Sequence, residues 1–448
     1  MVADNALGSS GEGTHRVVHA DPTKDFFVTM ITRDVPLAVC ILDLLDNSID
    51  GARRAIAAHA KDDFKGFVIR LHLSESMFRI MDNCGGIRLS DAIDYAFHFG
   101  RKPGSPNDVA GGIGLYGIGM KRAIFKMGRL ARVKSEADDA SFTVKVNVDE
   151  WEARDDWDFD YEDTPRSGLN GTTVEVTNLY SGVASAFADA VFQRELIKII
   201  ARDYAFFIEQ GITVFVGDIE VPPYRFQLRE SEELSPAVEL FEDDGVSIRI
   251  AAGLIDDLPD EIPDELKPEK VDRYGWFIVC NDRVVLAGDK SDKTVWGDGG
   301  YQVWHPQYNG FAGFVFFRSE DQRKLPWTTT KHDLDDASPI YRRTLAAMKR
   351  ITLAFIEYTN RRKADLDRAR QAERPVRQVD VARLMTPKSL TLPRFEPDAT
   401  ADYGVTISYR RSREKVNQIK DHLGRPGMSA KEVGIHTFDF FVRTELGG

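Results

Sequence analysis

Ile41-Leu42-Asp43-Leu44-Leu45-Asp46-Asn47-Ser48-Ile49-Asp50-Gly51-Ala52 is the segment that decides how this chain is read. Leu42, Leu45 and Ile49 recur at helical spacing, so one face of a helix can pack on a core. Asp43, Asn47 and Asp50 fall at i, i+4 and i+7 and line another face. Asp46 lies beside them, and no cation follows until Arg53 and Arg54. Solvent-facing helices usually carry cationic partners one turn from their acids. Carboxylates with an Asn and no cation suit a magnesium–nucleotide site, because Mg2+ takes oxygen ligands and keeps several waters. A surface helix with an acidic stripe is the other reading of this segment alone.

Three further segments lie downstream. Ile80-Met81-Asp82-Asn83-Cys84-Gly85-Gly86-Ile87 follows an alternating stretch, Phe67–Leu73, that predicts a strand, with Met77–Met81 returning beside it. Asp82 therefore sits where a strand runs into a glycine loop; a turn-capping Asp is the plain alternative. The string G-G-I-G-L-Y-G-I-G-M-K covers Gly111 to Lys121. A dinucleotide-binding reading of its glycines requires a strand just before them. A Pro/Gly/Asn-rich stretch stands there instead, so that reading fails. The phosphate logic survives: Gly117 and Gly119 open a predicted helix, Ile118–Met127, whose free N–H groups can face an anion. Last, G-T-T-V-E-V (Gly171 to Val176) predicts a central strand.

In order and spacing these four segments resemble the GHKL ATPase superfamily, which includes gyrase B subunits, heat-shock chaperones, sensor histidine kinases, MutL and the MORC ATPases. The wording is closest to MutL- and MORC-like members. The resemblance covers roughly residues 29–335 and implies an α/β fold (an α+β sandwich). A Bergerat-type ATP-binding domain would be followed by a ribosomal-S5-like transducer domain, a long helix and a small C-terminal module. It implies ATP and Mg2+ as ligands, with Asn47 on the metal and Asp82 reading the adenine amino group. Asp50, Gly86 and Ile87 would lie near the nucleotide, Gly86 giving the backbone close approach to the base. Here the family's D-x-G-x-G pattern has Cys84 at its middle position, with Gly85 beside it. Gly114, Leu115, Tyr116, Gly117, Ile118, Gly119, Met120 and Lys121 would hold the phosphates.

Lys102, in F-G-R-K, matches a basic lid position of MORC-like members; a solvated loop lysine is the alternative. Thr172 or Thr173 would support Asp82 through a hydroxyl, and plain β propensity explains either equally. In L-P-W-T-T-T-K-H-D-L (Leu325 to Leu334), Lys331 matches a transducer lysine that reaches the terminal phosphate; a surface lysine is the other reading. Asp43 stands at the general-base position, where hydrolysing members mostly carry Glu. The side chain is one methylene shorter, about 1.5 Å of reach, so slow hydrolysis is expected.

The 448 residues carry a net charge of −12, which argues against a general nucleic-acid coat but not against a local basic patch. Cys40, Cys84 and Cys280 have no paired spacing and predict reduced thiols in a cytoplasmic protein. No run approaches the roughly 20 apolar residues of a membrane span. The polar first residues predict no signal peptide.

The expected organisation is a flexible arm (1–24), an ATP-binding domain (25–211), a transducer domain (212–337) and a long helix (338–372). A linker (373–403) and a terminal module (404–448) complete it. Ser90 is expected to cap a helix over Asp91–Phe99, residues 101–109 to form a lid, and acidic residues 150–170 to form a surface loop. The implied activity is ATP hydrolysis coupled to lid closure and homodimerisation, as a clamp on DNA or DNA-associated partners. The alternative is a chaperone-like or signalling ATPase acting on protein. A histidine kinase ranks lower, since only His15 and His19 precede the ATP domain.

Overall fold

The computed structural model describes residues 22–59, 63–100, 111–114, 117–255, 273–297, 302–363, 365–374, 376–394, 407 and 409–446. The chain divides after Phe395 into two compact units.

The larger unit is α/β. Its first sheet contains β1 (Val68–Leu73), β2 (Met77–Asp82), β3 (Gly128–Glu136), β4 (Ser141–Asn147), β5 (Tyr161–Asp163), β6 (Gly171–Leu179), β7 (Thr213–Val216) and β8 (Ile219–Glu220). The order is β5-β4-β3-β6-β2-β1-β7-β8, antiparallel throughout except for the parallel β1–β7 pair. Ile69, Leu71 and Leu73 alternate with exposed or half-buried neighbours along β1, as do Phe78 and Ile80 along β2. This period of two gives the sheet one apolar face. The Leu37–His59 and Gly119–Met127 helices bury Leu44, Ile49, Ile124 and Phe125 in the same core.

A second sheet follows, with β9 (Gln227–Glu230) and a late strand, β15 (Arg377–Asp380), paired beside it. Its members are β10 (Ala237–Asp243), β11 (Val246–Leu254), β12 (Gly275–Cys280), β13 (Arg283–Asp289) and β14 (Phe311–Arg318), in the order β10-β11-β14-β12-β13. β12 and β14 run parallel and are buried almost residue by residue, which requires cover on both faces. On one side the Pro339–Arg362 helix supplies Phe355, 4.9 Å from Phe311 between ring centres. On the other, Phe226 meets Phe277 and Phe314.

Several expected boundaries move. The stretch after Ile212 joins the first sheet through β7 rather than opening the second. The acidic segment is not a plain loop: Val148–Ala153 is helical, and Trp151 stacks on Phe125 and Phe159. Lys24 is not part of a free arm; it is buried in the Lys24–Thr32 helix and donates to the Trp151 and Arg154 carbonyls at 2.6 and 2.7 Å. The helix near Ser90 begins at Leu89 with Arg88 as N-cap and passes into a π turn over Ala92–Ala96. The long helix ends at Arg362, whose guanidinium turns to Glu373 at 2.7 Å, and Leu366–Ala372 is separate. Residues 377–391 do not behave as a linker. They pair with Gln227–Glu230, and Lys388 and Thr391 bridge to Val238 and Ser235.

The smaller unit holds the Arg413–His422 and Ala430–Glu445 helices, the second begun by a capping box between Ser429 and Glu432. Among the described residues no helix is long and apolar enough to cross a membrane.

Candidate functional site

From Val39 to Ala52 every residue of the motif helix is buried except Asn47. A polar side chain open on an otherwise sealed helix has its amide available to a ligand. Its neighbours are already engaged. Asp50 accepts the backbone N–H groups of Ile113 at 2.8 Å and Gly114 at 2.6 Å. Both of its oxygens thus pin the start of the glycine loop. A side chain on Gly114 would press on Asp50 Oδ2 at 2.9 Å.

Asp82 ends β2 against this helix. The Ser48 hydroxyl donates to its Oδ2 at 2.7 Å, and the N–H groups of Cys84 and Thr172 donate to Oδ1 at 2.9 and 3.2 Å. Burial pushes the carboxyl up, against the pull of those three donors. A carboxylate has about four acceptor sites, so one remains on Oδ2 for an amino group. The supporting hydroxyl is therefore that of Ser48. Thr172 contributes its main chain, with Oγ1 3.3 Å from Ser135 Oγ. Thr173 shares the opposite face of β6 with Glu175, the partner of Arg79.

Gly86 has φ +72°, and a Cβ there would run into the Glu136 carbonyl of β3. The protein's own backbone is thus enough to require glycine here. Ile87 N–H donates to Ser135 Oγ at 2.7 Å.

Beyond the loop, Gly117 has φ +65°, and Ile118 stands as the N-cap of the Gly119–Met127 helix with no side-chain hydrogen bond. The first N–H groups thus lack a capping side chain, the condition under which a helix start attracts anions. A Cβ on Gly119 would sit 3.0 Å from Asp43 Cβ, so the glycine lets this helix start lie directly on the motif helix. Met120 is buried. Lys121 turns inward, donating to the Ala96 carbonyl at 2.9 Å and to that of Gly117. Burial draws its ammonium down to about 7. In this arrangement its ammonium clasps two backbone segments. Lys102, Leu115, Tyr116 and the lid segment 101–109 lie outside the described residues.

Under the helix start lies a buried charge network. Asp43 Oδ2 takes Arg122 Nε at 2.9 Å and also Nη2, while its Oδ1 is 3.9 Å from Lys331 Nζ. Burial pushes the Asp43 carboxyl up, opposed by Lys331 and Arg122. Asp46 accepts from Tyr204 at 2.6 Å, Arg283 Nε at 2.8 Å and Lys331 at 2.7 Å. Burial alone would raise its carboxyl, but Arg283 and Lys331 outweigh that and hold it well below the carboxylate range. Lys331 reaches this helix from the segment after β14, with its own φ at +56°. Arg283 also donates to the Lys331 carbonyl at 3.2 Å and meets His332 Nε2 at 3.0 Å. Arginine only donates, so Nε2 accepts; burial and the neighbouring guanidinium keep the imidazole neutral. Three cations thus face two carboxylates, leaving one positive charge beside the helix start.

Residues 35–179 match the family model described as histidine kinase-, DNA gyrase B-, and HSP90-like ATPase. This part of the chain is a domain of the GHKL ATPase superfamily, an ATP-binding class, with the expected α/β fold. No curated protein matches the chain.

Sequence reasoning missed Ser48, Arg122, Tyr204, Arg283 and His332. Ser48 stands in the motif itself, and Arg122 directly follows the glycine string. His332 directly follows Lys331 in the string that the resemblance marks, and nothing local marks Arg283. Nothing local distinguishes Tyr204 from an ordinary core aromatic.

Proposed function

We propose that this protein is a Mg2+-dependent ATPase that turns over slowly. Asn47 carries the reading: between Val39 and Ala52 it is the one exposed residue, on a helix whose Ser48 donates to Asp82 and whose Asp43 lies where a Cβ on Gly119 would press. Asp82 accepts from the adenine amino group through its remaining acceptor site. Gly117, Ile118 and Gly119 present backbone N–H groups to the phosphates, helped by the surplus positive charge beneath. Asn47 is the protein ligand for the metal, which when bound neutralises phosphate charge. Lys331 meets the terminal phosphate from the second sheet, which serves as a transducer. Asp43 orients the attacking water.

Nucleotide-driven closure then associates two chains into a clamp in the cytoplasm, where free buried cysteines such as these three persist. The motif wording favours DNA as the clamp's partner. The net charge of −12 favours the second reading, a protein partner. ATP turnover stimulated by DNA, and falling steeply across a salt series, selects the first; no response to DNA at any salt selects the second. The nucleotide assignment is tested by calorimetry on Asp82→Asn, in which unchanged ATP affinity rejects it.

A further inference from the structure

The two oxygens of Asp43 are not equivalent. Oδ2 is held by Arg122 through two nitrogens, Nε at 2.9 Å and Nη2. Oδ1 faces the other way. It lies 3.9 Å from Lys331 Nζ and 3.5 Å from where a Cβ on Gly119 would stand. Oδ1 therefore looks toward the helix start and the lysine that would bracket a terminal phosphate. Arg122 is 8% exposed and Asp43 is 2% exposed, so water does not compete well for this contact. The two N–H donors converge on Oδ2 and fix the place of that oxygen more closely than one ammonium does, while leaving Oδ1 outside the contact. A short Asp side chain needs that definition, because positioning the nucleophile is most of what a protein contributes to phosphoryl transfer.

We propose that Arg122 is a positioning residue for hydrolysis: it anchors Asp43 Oδ2 so that Oδ1 alone holds the attacking water. The proposal rests on the reading of Asp43 as the water-orienting group. In the step itself the water oxygen bonds to the terminal phosphorus as the bond from that phosphorus to the bridging oxygen breaks. The bridging oxygen leaves on ADP with the electron pair. One water proton passes to Oδ1 and from there to the phosphate product. This is the logic by which an oriented base is held by a third group. The charged and titratable groups facing Asp43 are Arg122 on the glycine-loop helix, Lys331 on the segment after β14, and Asp46 and Cys40 on its own helix.

The experiment compares wild type, Arg122→Gln, Arg122→Lys and Asp43→Ala in full-length protein. It measures ATP affinity by calorimetry and the pH profile of kcat. Arg122→Gln is expected to bind ATP within twofold of wild type and to lose at least tenfold in kcat. Its acid limb moves to higher pH, because removing a cation from a buried carboxylate raises the pH at which it protonates. Arg122→Lys keeps the charge without the fork; it should lose kcat with a smaller shift of the limb, and it serves if the Gln variant does not fold. An Arg122→Gln profile superimposable on wild type, with Asp43→Ala inactive, overturns the proposal and leaves the Asp43 reading standing. Wild-type turnover in Asp43→Ala overturns both.

Discussion

Replacing Arg283 by Met removes a fully buried guanidinium while roughly keeping its volume. The loss falls first on Asp46, which is also fully buried. Breaking a buried ion pair from one side costs about 3–5 kcal/mol, because a charge is left without its partner. Asp46 keeps Lys331 at 2.7 Å and Tyr204 at 2.6 Å, so the lower end, about 3 kcal/mol, is expected. The urea m-value scales with the surface exposed on unfolding, so for a unit this large it exceeds the roughly 1–3 kcal/mol/M of small domains and the midpoint should fall by less than about 1 M. In wild type the Asp46 carboxyl is held below its unfolded value. Its contribution is therefore present above the ordinary carboxylate range and lost only as pH falls through the lower folded value. In Arg283→Met the folded value rises, so protonation relieves the variant first, and its deficit is largest at neutral pH and shrinks on acidification. Urea unfolding at several pH values reads both effects. A double-mutant cycle with Asp46→Asn should return a coupling of about 0.5–3 kcal/mol. Equal midpoints at neutral pH, or no coupling in the cycle, refute the view that this pair ties the second sheet to the motif helix.

Asp82→Asn should weaken ATP binding by about 1–3 kcal/mol, the cost of a lost acceptor and an unpaired group, as read by calorimetry. Lys331→Ala should keep adenine binding but remove the difference between ADP and a non-hydrolysable ATP analogue in sedimentation, since only a differential contact shifts a conformational equilibrium. Gly86→Ala should destabilise the fold by at least about 1–2 kcal/mol from its positive φ alone, with a further loss from the Glu136 carbonyl; thermal unfolding without nucleotide would show it. Asp50→Ala should release the Ile113 and Gly114 N–H groups, and hydrogen exchange there should quicken while Asp82-dependent adenine binding persists.

The placement of several motif residues was legible because their types are unusual where they stand. An Asn among buried carboxylates, an Asp at a strand end and a glycine string before a helix each follow from local chemistry. Roles shared between distant segments were not legible. Gly86 reads as making room for a base, and only the tertiary structure shows that a Cβ there would also meet the Glu136 carbonyl, fifty positions away. That Lys121 donates to the Ala96 and Gly117 carbonyls is likewise invisible in the sequence. Thr172 and Thr173 were equivalent as letters, and sheet register put only one of them on Asp82.

Sequence alone determined the local elements: the helix over the motif, strands from alternation, and the helix opened by Gly119, because periodicity and backbone preference act within a few residues. It did not decide which sheet claims the strand after Ile212, since β7 is placed by pairing with β1 rather than by its own composition. Nor did it decide where the charges of the motif helix are balanced. Asp43 meets a cation 79 positions away, and Asp46 meets cations 237 and 285 positions away. A buried carboxylate must find a partner, but only the packing of the two sheets selects Arg122, Arg283 and Lys331 for that task.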